Sequence, residues 1–438
     1  MKKALPNSYY LWTIGNNFAR FPKMTTDHNA KLCIVGGGFA GVNTALSLAE
    51  KGWVKSNETV ILESEVIGFG ASGRNGGFAF SGFSRGEDLL VKELGVERAK
   101  FFFHGTIEGV NQIRNRAKTY NIDCDIVDKG VIWVNWFKDQ EVLRSRAKLL
   151  KEAFGVDWKW MDEREVRQVL KSEQYHDAVF EENAFHLNPL KYVRGTAAAA
   201  EKQGVKVFEE TPATKLEKTG KRWKITTPRG VVTADNVLLA SGGYLAGLNK
   251  NIDNAMLPVA TYVMVTEPLG EKLQSVINTQ AAIYDTRFAF DYYRPLPDTR
   301  ILWGGRISIF DRNADGVKRV LLRDLLYVYP QLKGIRIDFA WSGMMGYSLH
   351  SMPYIGKVDE GLYLCQGFGG HGVAATSFGG ELIANSISSN RLTQRELIED
   401  YQVGTTYKPT GFLGVQAAYW WYQTRDELKL WGEKLRAK

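Results

Sequence analysis

The alternation of apolar and polar positions near the start of the chain predicts a strand, a tight turn and a helix. Residues 32–35 form an apolar run of strand length, glycines follow at Gly36, Gly38 and Gly41, and residues 42–49 carry apolar side chains at helical spacing. Glycines at these positions let the backbone approach a phosphate and let the helix pack closely on the strand. Because the helix N-terminus then faces the ligand, this stretch predicts a dinucleotide-phosphate site.

Three glycines also occur in tight turns of other α/β proteins, so the site needs independent support. The next apolar run, residues 59–62, ends at Glu63. An acid at about 20 residues beyond the glycines holds ribose hydroxyls, and it favours a ribose without a phosphate. A second glycine-rich stretch, residues 68–77, contains small and polar residues that allow backbone donors to crowd a ligand.

Two later strands also end in glycines. Residues 237–243 are an apolar run that ends in two glycines, and residues 361–374 lead from an apolar strand through a glycine-rich turn into a helix of small residues. Between them, residues 258–310 read as several strands, with alternation that predicts one face toward a cavity. We expect this sheet to bind the substrate.

Length, charge and cysteine content narrow the class of protein. The 438 residues exceed the usual size of one domain and predict two interlocked domains. Lys and Arg number 56 against 48 Asp and Glu, spread without a long basic run, so nucleic-acid binding is not expected. Cys33, Cys124 and Cys365 are too far apart for a zinc or redox pair, and we expect no metal. No apolar run has the length of a signal peptide or membrane span, which predicts a cytoplasmic protein without a transmembrane segment.

The two glycine-rich turns together resemble those of FAD-dependent oxidoreductases of the D-amino-acid oxidase type, a family that includes glycine oxidase, sarcosine oxidase and γ-glutamylputrescine oxidase. The nearest likeness is to the γ-glutamylputrescine oxidase branch, through the run Gly-Ala-Ser-Gly-Arg-Asn-Gly-Gly at residues 70–77. The resemblance covers residues 8–395. It implies an α/β protein, α+β overall, in which a Rossmann-like FAD-binding domain is interlocked with an antiparallel β-sheet substrate domain.

The resemblance also implies a division of the chain. The parts are an aromatic N-terminal arm at 1–30, an FAD-binding domain at 31–100, 185–250 and 340–395, a substrate domain at 101–184 and 251–339, and an amphipathic helical extension at 396–438. In this extension aromatic and basic residues are interleaved. That pattern predicts a helix docked on the body of the protein, with contact to a membrane surface as the alternative.

Carried over residue by residue, the resemblance implies a set of FAD contacts. These are Gly36, Gly38, Phe39, Ala40, Gly41, Glu63, Ser64, Gly70, Ala71, Ser72, Arg74, Asn75, Gly76, Gly77, Ala213, Ser241, Gly242, Gly369, Gly370, His371, Gly372 and Val373. Sarcosine oxidases attach FAD to a cysteine well upstream of the Gly-His-Gly segment, and Cys365 is too near that segment to match it. Noncovalent FAD is therefore expected.

The expected reaction is oxidation of a C–N bond to an imine by hydride transfer to flavin, followed by hydrolysis to a carbonyl compound. Aromatic walls at Tyr292, Tyr293 and Tyr347 would align the substrate, and His371 is a candidate base or a flavin contact. Relatives that oxidise amino acids place an arginine shortly after the Trp-x-Gly turn, which here begins at Trp341 and lacks one. An amine or γ-glutamyl-amine substrate is favoured.

Arg294 or Arg306 is a candidate replacement for that arginine, because a guanidinium binds a carboxylate with two hydrogen bonds. An L-amino-acid or imino-acid oxidase or dehydrogenase therefore stays an alternative, as does a noncatalytic flavin-binding partner subunit. No lysine occurs at residues 301–303, where sarcosine oxidases place one that promotes reaction with oxygen. The electron acceptor is left open between O2 and another molecule.

Overall fold

The computed structural model describes residues 6–15, 18–54, 59–244, 247–389, 396–406, 408 and 410–436. The strands are β1 (His28–Val35), β2 (Thr59–Leu62), β3 (Phe78–Ala79), β4 (Val131–Val134), β5 (Lys159–Met161), β6 (Ala178–Glu181), β7 (Phe185–His186), β8 (Lys206–Phe208), β9 (Lys215–Thr219), β10 (Arg222–Thr227), β11 (Gly230–Leu239), β12 (Leu257–Thr266), β13 (Ala282–Asp285), β14 (Tyr292–Pro295), β15 (Ile301–Ser308), β16 (Ile337–Tyr347), β17 (Tyr354–Asp359) and β18 (Leu362–Gln366). The helices are α1 (Tyr9–Ile14), α2 (Phe39–Glu50), α3 (Glu87–Leu94), α4 (Val96–Thr119), α5 (Glu141–Leu149), α6 (Glu163–Val169), α7 (Pro189–Lys202), α8 (Lys250–Asn254), α9 (Ala314–Val328), α10 (Gly372–Ser389), α11 (Leu397–Asp400) and α12 (Thr410–Arg436).

The first sheet has a parallel centre. Its order is β17-β18-β11-β1-β2-β8, and β10 and β9 extend it antiparallel from β11. Strands β18, β11, β1, β2 and β8 are all parallel to their neighbours within this set. Their carboxyl ends therefore meet at one edge, which is where open α/β sheets bind ligands.

Helices α2, α4 and α10 pack together beside this sheet through small residues. A Cβ added at Gly380 of α10 would lie 2.8 Å from the Thr44 nitrogen of α2, and one at Gly109 of α4 would lie 2.3 Å from the Ala374 oxygen. Glycine at these positions is what lets the three helix backbones approach each other. The close packing fixes the N-termini of α2 and α10 relative to the carboxyl edge of the sheet.

The second sheet has the order β16-β12-β15-β14-β13-β4-β6-β5. Its pairs are antiparallel, except that β13 runs parallel to β4. Side chains alternate between its faces, as the strand period requires. One face, with Ile283 and Trp303, forms a core that includes Leu321 and Leu325 of α9. The opposite face carries aromatic side chains such as Trp133 and Tyr284.

The two ends of the chain pack on this body. Tyr10 in α1 is fully buried, with its ring 5.4 Å from that of Trp341; residues 1–5, 16 and 17 of the predicted arm lie outside the described residues. Helix α12 docks beside the second sheet, where the Phe288 amide donates to Asp426 Oδ2 at 2.8 Å. Its outer side exposes Trp420 and Trp421, among other apolar residues. Across the described ranges, no helix is both long and apolar enough to cross a membrane.

Candidate active site

Predicted site residues gather at the carboxyl edge of the first sheet. Gly36, Gly38, Phe39, Ala40 and Gly41 follow β1; Glu63 and Ser64 follow β2; Ser241 and Gly242 follow β11; Gly369, Gly370, His371, Gly372 and Val373 follow β18. Because these four strands are parallel, sequence segments more than 300 residues apart end side by side. The structure brings these predicted residues to one edge, while their individual roles stay predictions.

The first turn is built so closely that side chains are excluded from it. Gly36 has φ +117°, and a Cβ there would lie 2.6 Å from the Ala240 oxygen. A Cβ at Gly41 would lie 2.1 Å from the Gly36 oxygen. The Phe39 amide, at the start of α2, donates to Ser72 Oγ at 2.8 Å. The turn thus joins β1, β11, α2 and the second glycine-rich stretch in one compact unit.

Glu63 is fixed beside that turn. Its buried carboxylate accepts from the Gly37 amide at 2.8 Å and from the Glu65 amide at 2.9 Å. Burial raises the pKa of Glu63, while these amides and the Ser64 hydroxyl oppose the rise. The Thr211 amide donates to the Glu63 backbone oxygen, which brings the segment that leads to Ala213 to the same place.

The second glycine-rich turn is held together by Asn75. Its Nδ2 donates to the Ala71 and Ser72 oxygens at 3.0 Å each, and its Oδ1 accepts from the Gly77 amide at 2.8 Å. A Cβ at Gly76 would lie 2.6 Å from the ring of Tyr292. The side chain of Asn75 therefore shapes the turn, whereas its sequence position alone suggested a ligand contact.

Arg74, like Asn75, makes contacts within the protein that hold the second glycine-rich turn in place. Its Nε donates to the Phe69 oxygen at 2.6 Å, its guanidinium lies 4.5 Å from the centroid of the Phe69 ring, and its backbone oxygen accepts from Trp341 Nε1 at 2.8 Å. Burial lowers the pKa of Arg74. The residue ties the second turn, which includes Gly70 and Ala71, to β16 of the second sheet.

Arg294 lies beneath the second turn and is bonded within the protein. Its guanidinium donates to the Gly76 oxygen at 2.7 Å and the Leu187 oxygen at 2.9 Å, contacts His186 Nδ1 at 3.0 Å, and donates to the Tyr10 hydroxyl at 3.3 Å. Burial and Arg294 lower the pKa of His186 to about 3, so its ring is neutral near pH 7 and can accept. Arg294 thus positions the turn, a use that the sequence did not reveal because its partners are distant along the chain.

Arg306 is also bonded within the protein. In the pairing of β12 with β15, Thr261 lies opposite Ile307 and the next residue of β12 lies opposite Gly305. Arg306 therefore has no residue opposite it and is the extra residue of a β-bulge. Its guanidinium makes hydrogen bonds of 2.7 and 2.6 Å to both carboxylate oxygens of Asp324 in α9. This pairing corrects the expectation that Arg306 serves a substrate carboxylate.

Tyr292 and Tyr293 lie on opposite faces of β14, and this corrects the placement of Tyr293. Tyr293 is fully buried on the α9 side, stacked on Trp303 with ring centroids 4.3 Å apart and bonded to the Tyr329 hydroxyl at 3.0 Å. Tyr292 packs instead against the second glycine turn and over Gly304. Successive strand residues cannot share a face, so Tyr292 is the tyrosine of this pair that faces the site.

The third glycine turn lies against Tyr347 and Ser84. Gly369 has φ +54°, its amide donates to the Gly346 oxygen at 3.0 Å, and its own oxygen accepts from Ser84 Oγ at 2.7 Å. A Cβ at Gly369 would lie 2.9 Å from the Tyr347 ring. Tyr347 therefore lies next to the turn that opens α10, while its use as a wall of the site stays a prediction.

His371 presents a polar atom without a partner. Its Nδ1 is buried and makes no hydrogen bond to the described residues, and its ring meets the ring of Phe80 edge-on at 5.3 Å. Burial, assisted by the charge of Arg146, lowers the pKa of His371 to about 4, so the ring is neutral near pH 7. A buried polar atom of this kind is expected to find a partner in a bound molecule.

A row of aromatic rings continues from His371 along the second sheet. The rings of Phe80 and Tyr284 are 5.5 Å apart, and those of Tyr284 and Trp133 are 5.7 Å apart, both stacked. Sequence reasoning missed this row. The alternation within residues 131–134 and 282–285 was the available signal, but it does not tell which strands are neighbours.

Neither a metal cluster nor a reactive thiol is found here. No group of three metal-ligating side chains occurs in the part of the chain that the structure describes. Cys33, Cys124 and Cys365 are each buried and free, and burial raises the pKa of all three thiols. A buried thiol at high pKa is a poor nucleophile, which agrees with a cofactor held without a covalent bond.

A family model described as FAD dependent oxidoreductase matches residues 31–386. The chain belongs to this family. It is 34% identical over 428 residues to gamma-glutamylputrescine oxidoreductase of Escherichia coli, covering 96% of this chain and 98% of that protein. The resemblance to this family and branch is confirmed, and the protein is an FAD-dependent oxidoreductase.

Solved structures of the same fold are more distant in sequence. Glycine oxidase from Geobacillus kaustophilus has a TM-score of 0.70 at 19% identity, over 86% of this chain and 99% of that one. L-proline dehydrogenase from P. horikoshii also has a TM-score of 0.70, at 17% identity, over 85% and 96% of the two chains. The predicted fold class is confirmed, whereas the residue bounds of the predicted domains stay a prediction.

The residues at the carboxyl edge fit FAD. No Cβ fits at Gly36 or Gly41, so the backbone at the N-terminus of α2 carries no side chain at these two positions. Backbone amides at such a helix N-terminus suit a pyrophosphate. Glu63 is fixed just after the second parallel strand, the position at which dinucleotide-binding folds place an acid for a ribose hydroxyl. The unpartnered Nδ1 of His371 lies on the turn that opens α10, at the other end of this edge.

Replacing Ser72 with alanine is expected to weaken FAD binding about fivefold, equivalent to about 1 kcal/mol, because the Phe39 amide loses its acceptor and the first turn is less ordered before FAD arrives. The dissociation constant is measured by titrating apoprotein with FAD. Ser145→Ala, at an exposed serine of α5, is the matched control and should leave the constant unchanged. An unchanged constant in S72A would show that this bond does not preorganise the turn.

Proposed function

We propose that the protein is an FAD-dependent amine oxidoreductase that oxidises the C–N bond of an amine or γ-glutamyl-amine to an imine, which water hydrolyses to a carbonyl compound. The observation that carries this proposal is an aromatic face beside the glycine turns on which, among the described residues, the three candidate arginines already have partners. Arg74, Arg294 and Arg306 are all bonded within the protein. An amino acid oxidised at its α-carbon would place its carboxylate next to the reacting C–H bond and would need such a cation there, whereas the carboxylate of a γ-glutamyl-amine lies far from the oxidised carbon.

The site residues are proposed to divide by the part of FAD that they contact. Pyrophosphate would lie on Gly36, Gly38, Phe39, Ala40 and Gly41; the adenosine on Glu63, Ser64 and Ala213; the linking and ring portions on Gly70, Ala71, Ser72, Arg74, Asn75, Gly76, Gly77, Ser241, Gly242, Gly369, Gly370, His371, Gly372 and Val373. When bound, FAD supplies the acceptor for the hydride. Arg74 and Asn75 would act chiefly by shaping the second turn.

The substrate side of the site is proposed to be formed by Tyr292 and Tyr347. Their rings remove water from the amine and orient the C–H bond beside its nitrogen. The reactive amine must be unprotonated, and a site walled by apolar rings disfavours the charged form. His371, neutral near pH 7, is proposed as a positioning contact.

The likeness to gamma-glutamylputrescine oxidoreductase supports the amine class. That relative's name refers to an amide of a diamine. Its similarity extends over nearly the full length of both chains, including the segments that form both sheets. An amine or γ-glutamyl-amine is therefore the substrate class proposed for this chain.

Substrate panels test this proposal. Turnover with an artificial electron acceptor is compared for γ-glutamyl-amines, simple amines, linear L-amino acids and cyclic imino acids, and the amines are expected to have the higher kcat/KM. A preference for a substrate whose oxidised carbon bears the carboxylate would establish the amino-acid alternative. Turnover of none of these classes would favour a noncatalytic flavin-binding subunit. Oxygen consumption in the same assay decides whether O2 serves as acceptor.

A further inference from the structure

A buried group of charged residues lies next to the aromatic row. Arg146 of α5 donates from Nη2 to Oε1 of Glu87 in α3 at 2.9 Å, and its Nε lies 2.8 Å from Oε2 as part of the ion pair. Glu181 at the end of β6 accepts from the amide and the hydroxyl of Ser81, at 3.0 and 2.6 Å, through Oε1. Its Oε2 is buried and makes no hydrogen bond within the described ranges.

The charges of this group do not balance. Two buried carboxylates, Glu87 and Glu181, face one guanidinium, and Arg146 is already bonded to Glu87. Burial raises the pKa of Glu181 to about 7, against the bonds from Ser81 and the charge of Arg146. A buried carboxylate without a partner is costly. The group is therefore one positive charge short when Glu181 is ionised.

The aromatic row connects this group to the third glycine turn. Its rings are those of Phe80, Tyr284 and Trp133, beginning beside His371. The guanidinium of Arg146 lies 4.4 Å from the centroid of the Trp133 ring, so the far end of the row already holds a cation. Because Tyr284 stacks on both Phe80 and Trp133, the edges of these rings are what can pack along an alkyl chain, and the ionised carboxylate of Glu181 would attract an ammonium group at its end. The row is thus suited to an alkyl chain that ends in a positive charge.

We propose that Glu181, together with the rings of Phe80 and Tyr284, binds a second, protonated nitrogen of the substrate while the first nitrogen is oxidised. This inference rests on the proposed amine oxidation. It specifies the substrate class as an α,ω-diamine, which brings a net positive charge, or an aminoacyl derivative of one, such as a γ-glutamyl-amine, whose α-ammonium lies beside an α-carboxylate. Both classes share the distal cation that Glu181 would pair with.

The proposal has a consequence for pH. Glu181 is faced by Glu87 from α3, Arg146 from α5 and Tyr284 from β13, while His371 on the third glycine turn is coupled to Arg146. Of these, Glu181 changes charge near pH 7. Below that pH it becomes protonated and loses its attraction for a cation, so preference for a diamine over a monoamine is expected to fall about tenfold from pH 8 to pH 6.

Binding to the reduced holoenzyme tests the proposal without turnover. Flavin that has been chemically reduced cannot accept a hydride, so anaerobic calorimetry reports affinity alone. The probes are 1,4-diaminobutane, butylamine and γ-glutamyl-1,4-diaminobutane. Wild-type enzyme is expected to bind either probe with a distal cation at least about tenfold more tightly than butylamine at pH 8. Comparison of the two diamine probes shows which substrate class is preferred.

Glu181→Gln removes the charge and retains an oxygen for the Ser81 donors. It is expected to abolish the preference and its pH dependence, with FAD content confirming the fold. Glu182→Gln is the matched control, since Glu182 is the next residue, is mostly exposed and pairs with Lys159 at the surface. It should keep both the preference and the pH dependence.

The outcomes separate this inference from the proposed function. If amines reduce the oxidised flavin but wild-type enzyme binds butylamine and the diamines equally, or E181Q keeps the preference, the Glu181 subsite is refuted and amine oxidation stands. If the wild type neither binds amines nor is reduced by them, the proposed function fails and the subsite with it. The wild-type measurement needs no variant, so equal binding of butylamine and the diamines, or a preference that does not change from pH 8 to pH 6, refutes the subsite even if E181Q does not fold.

Discussion

Replacing Gly41 with alanine is expected to yield a protein that purifies without FAD. The added Cβ would lie 2.1 Å from the Gly36 oxygen and 3.0 Å from Ile34 Cγ2. Gly36 has little room to retreat, because even a Cβ built on it would lie 2.6 Å from the oxygen of Ala240, the residue that follows β11. Helix α2 must move away from β1, at a cost of about 3 kcal/mol or more, which is over a hundredfold in FAD affinity. The ratio of flavin to protein absorbance measures the loss.

The matched control is Gly414→Ala in α12. Both glycines lie in helices, but a Cβ at Gly414 would meet no atom within 4 Å. Alanine is the better helix former, so this variant should keep its full FAD content and gain up to about 1 kcal/mol in stability. Stoichiometric FAD in G41A would contradict the account of the first turn.

Replacing Arg294 with methionine is expected to destabilise the protein by about 3–5 kcal/mol and to lower the midpoint of thermal unfolding by about 5 °C. The change removes a buried guanidinium and leaves the Gly76 and Leu187 oxygens without this donor. Arg294→Lys should recover little, because an ammonium cannot reproduce the planar fork. The midpoints of both variants are measured in a thermal unfolding experiment that uses the release of flavin as its signal.

Arg222→Met is the control for this prediction. Arg222 is partly exposed, and at the surface it pairs with Asp235 and donates to the Thr233 oxygen and to Asn29 Oδ1; surface contacts of this kind contribute little. The midpoint of thermal unfolding of R222M is expected to stay within about 1 °C of that of the wild type. A midpoint for R294M as high as that of R222M would show that the second glycine turn does not depend on Arg294.

The sequence predicted the parts of the site that depend on local structure. Residues 32–49 alone specify a strand, a turn and a helix, because the glycine spacing and the apolar period act over a few residues. The same is true of Glu63, which simply follows the next strand. Parallel pairing then brings the third glycine turn beside them, as the resemblance implied.

Features that depend on register and distant contacts could not be predicted. Whether Tyr292 or Tyr293 faces the site depends on which side of β14 is covered by α9. The bulge that turns Arg306 toward Asp324 is set by pairing between β12 and β15. Arg294 and Glu181 resemble ordinary polar residues until the partners that surround them are known.

Anaerobic reduction of the bound flavin is the measurement that tests the central claim most directly. The purified protein is mixed with an amine or a γ-glutamyl-amine, and the oxidised-flavin absorbance band is followed in the absence of any acceptor. Loss of the band, with one aldehyde formed per flavin, is the predicted result. A protein that carries no flavin, or a flavin that amines leave oxidised while an α-amino acid reduces it, would contradict the account.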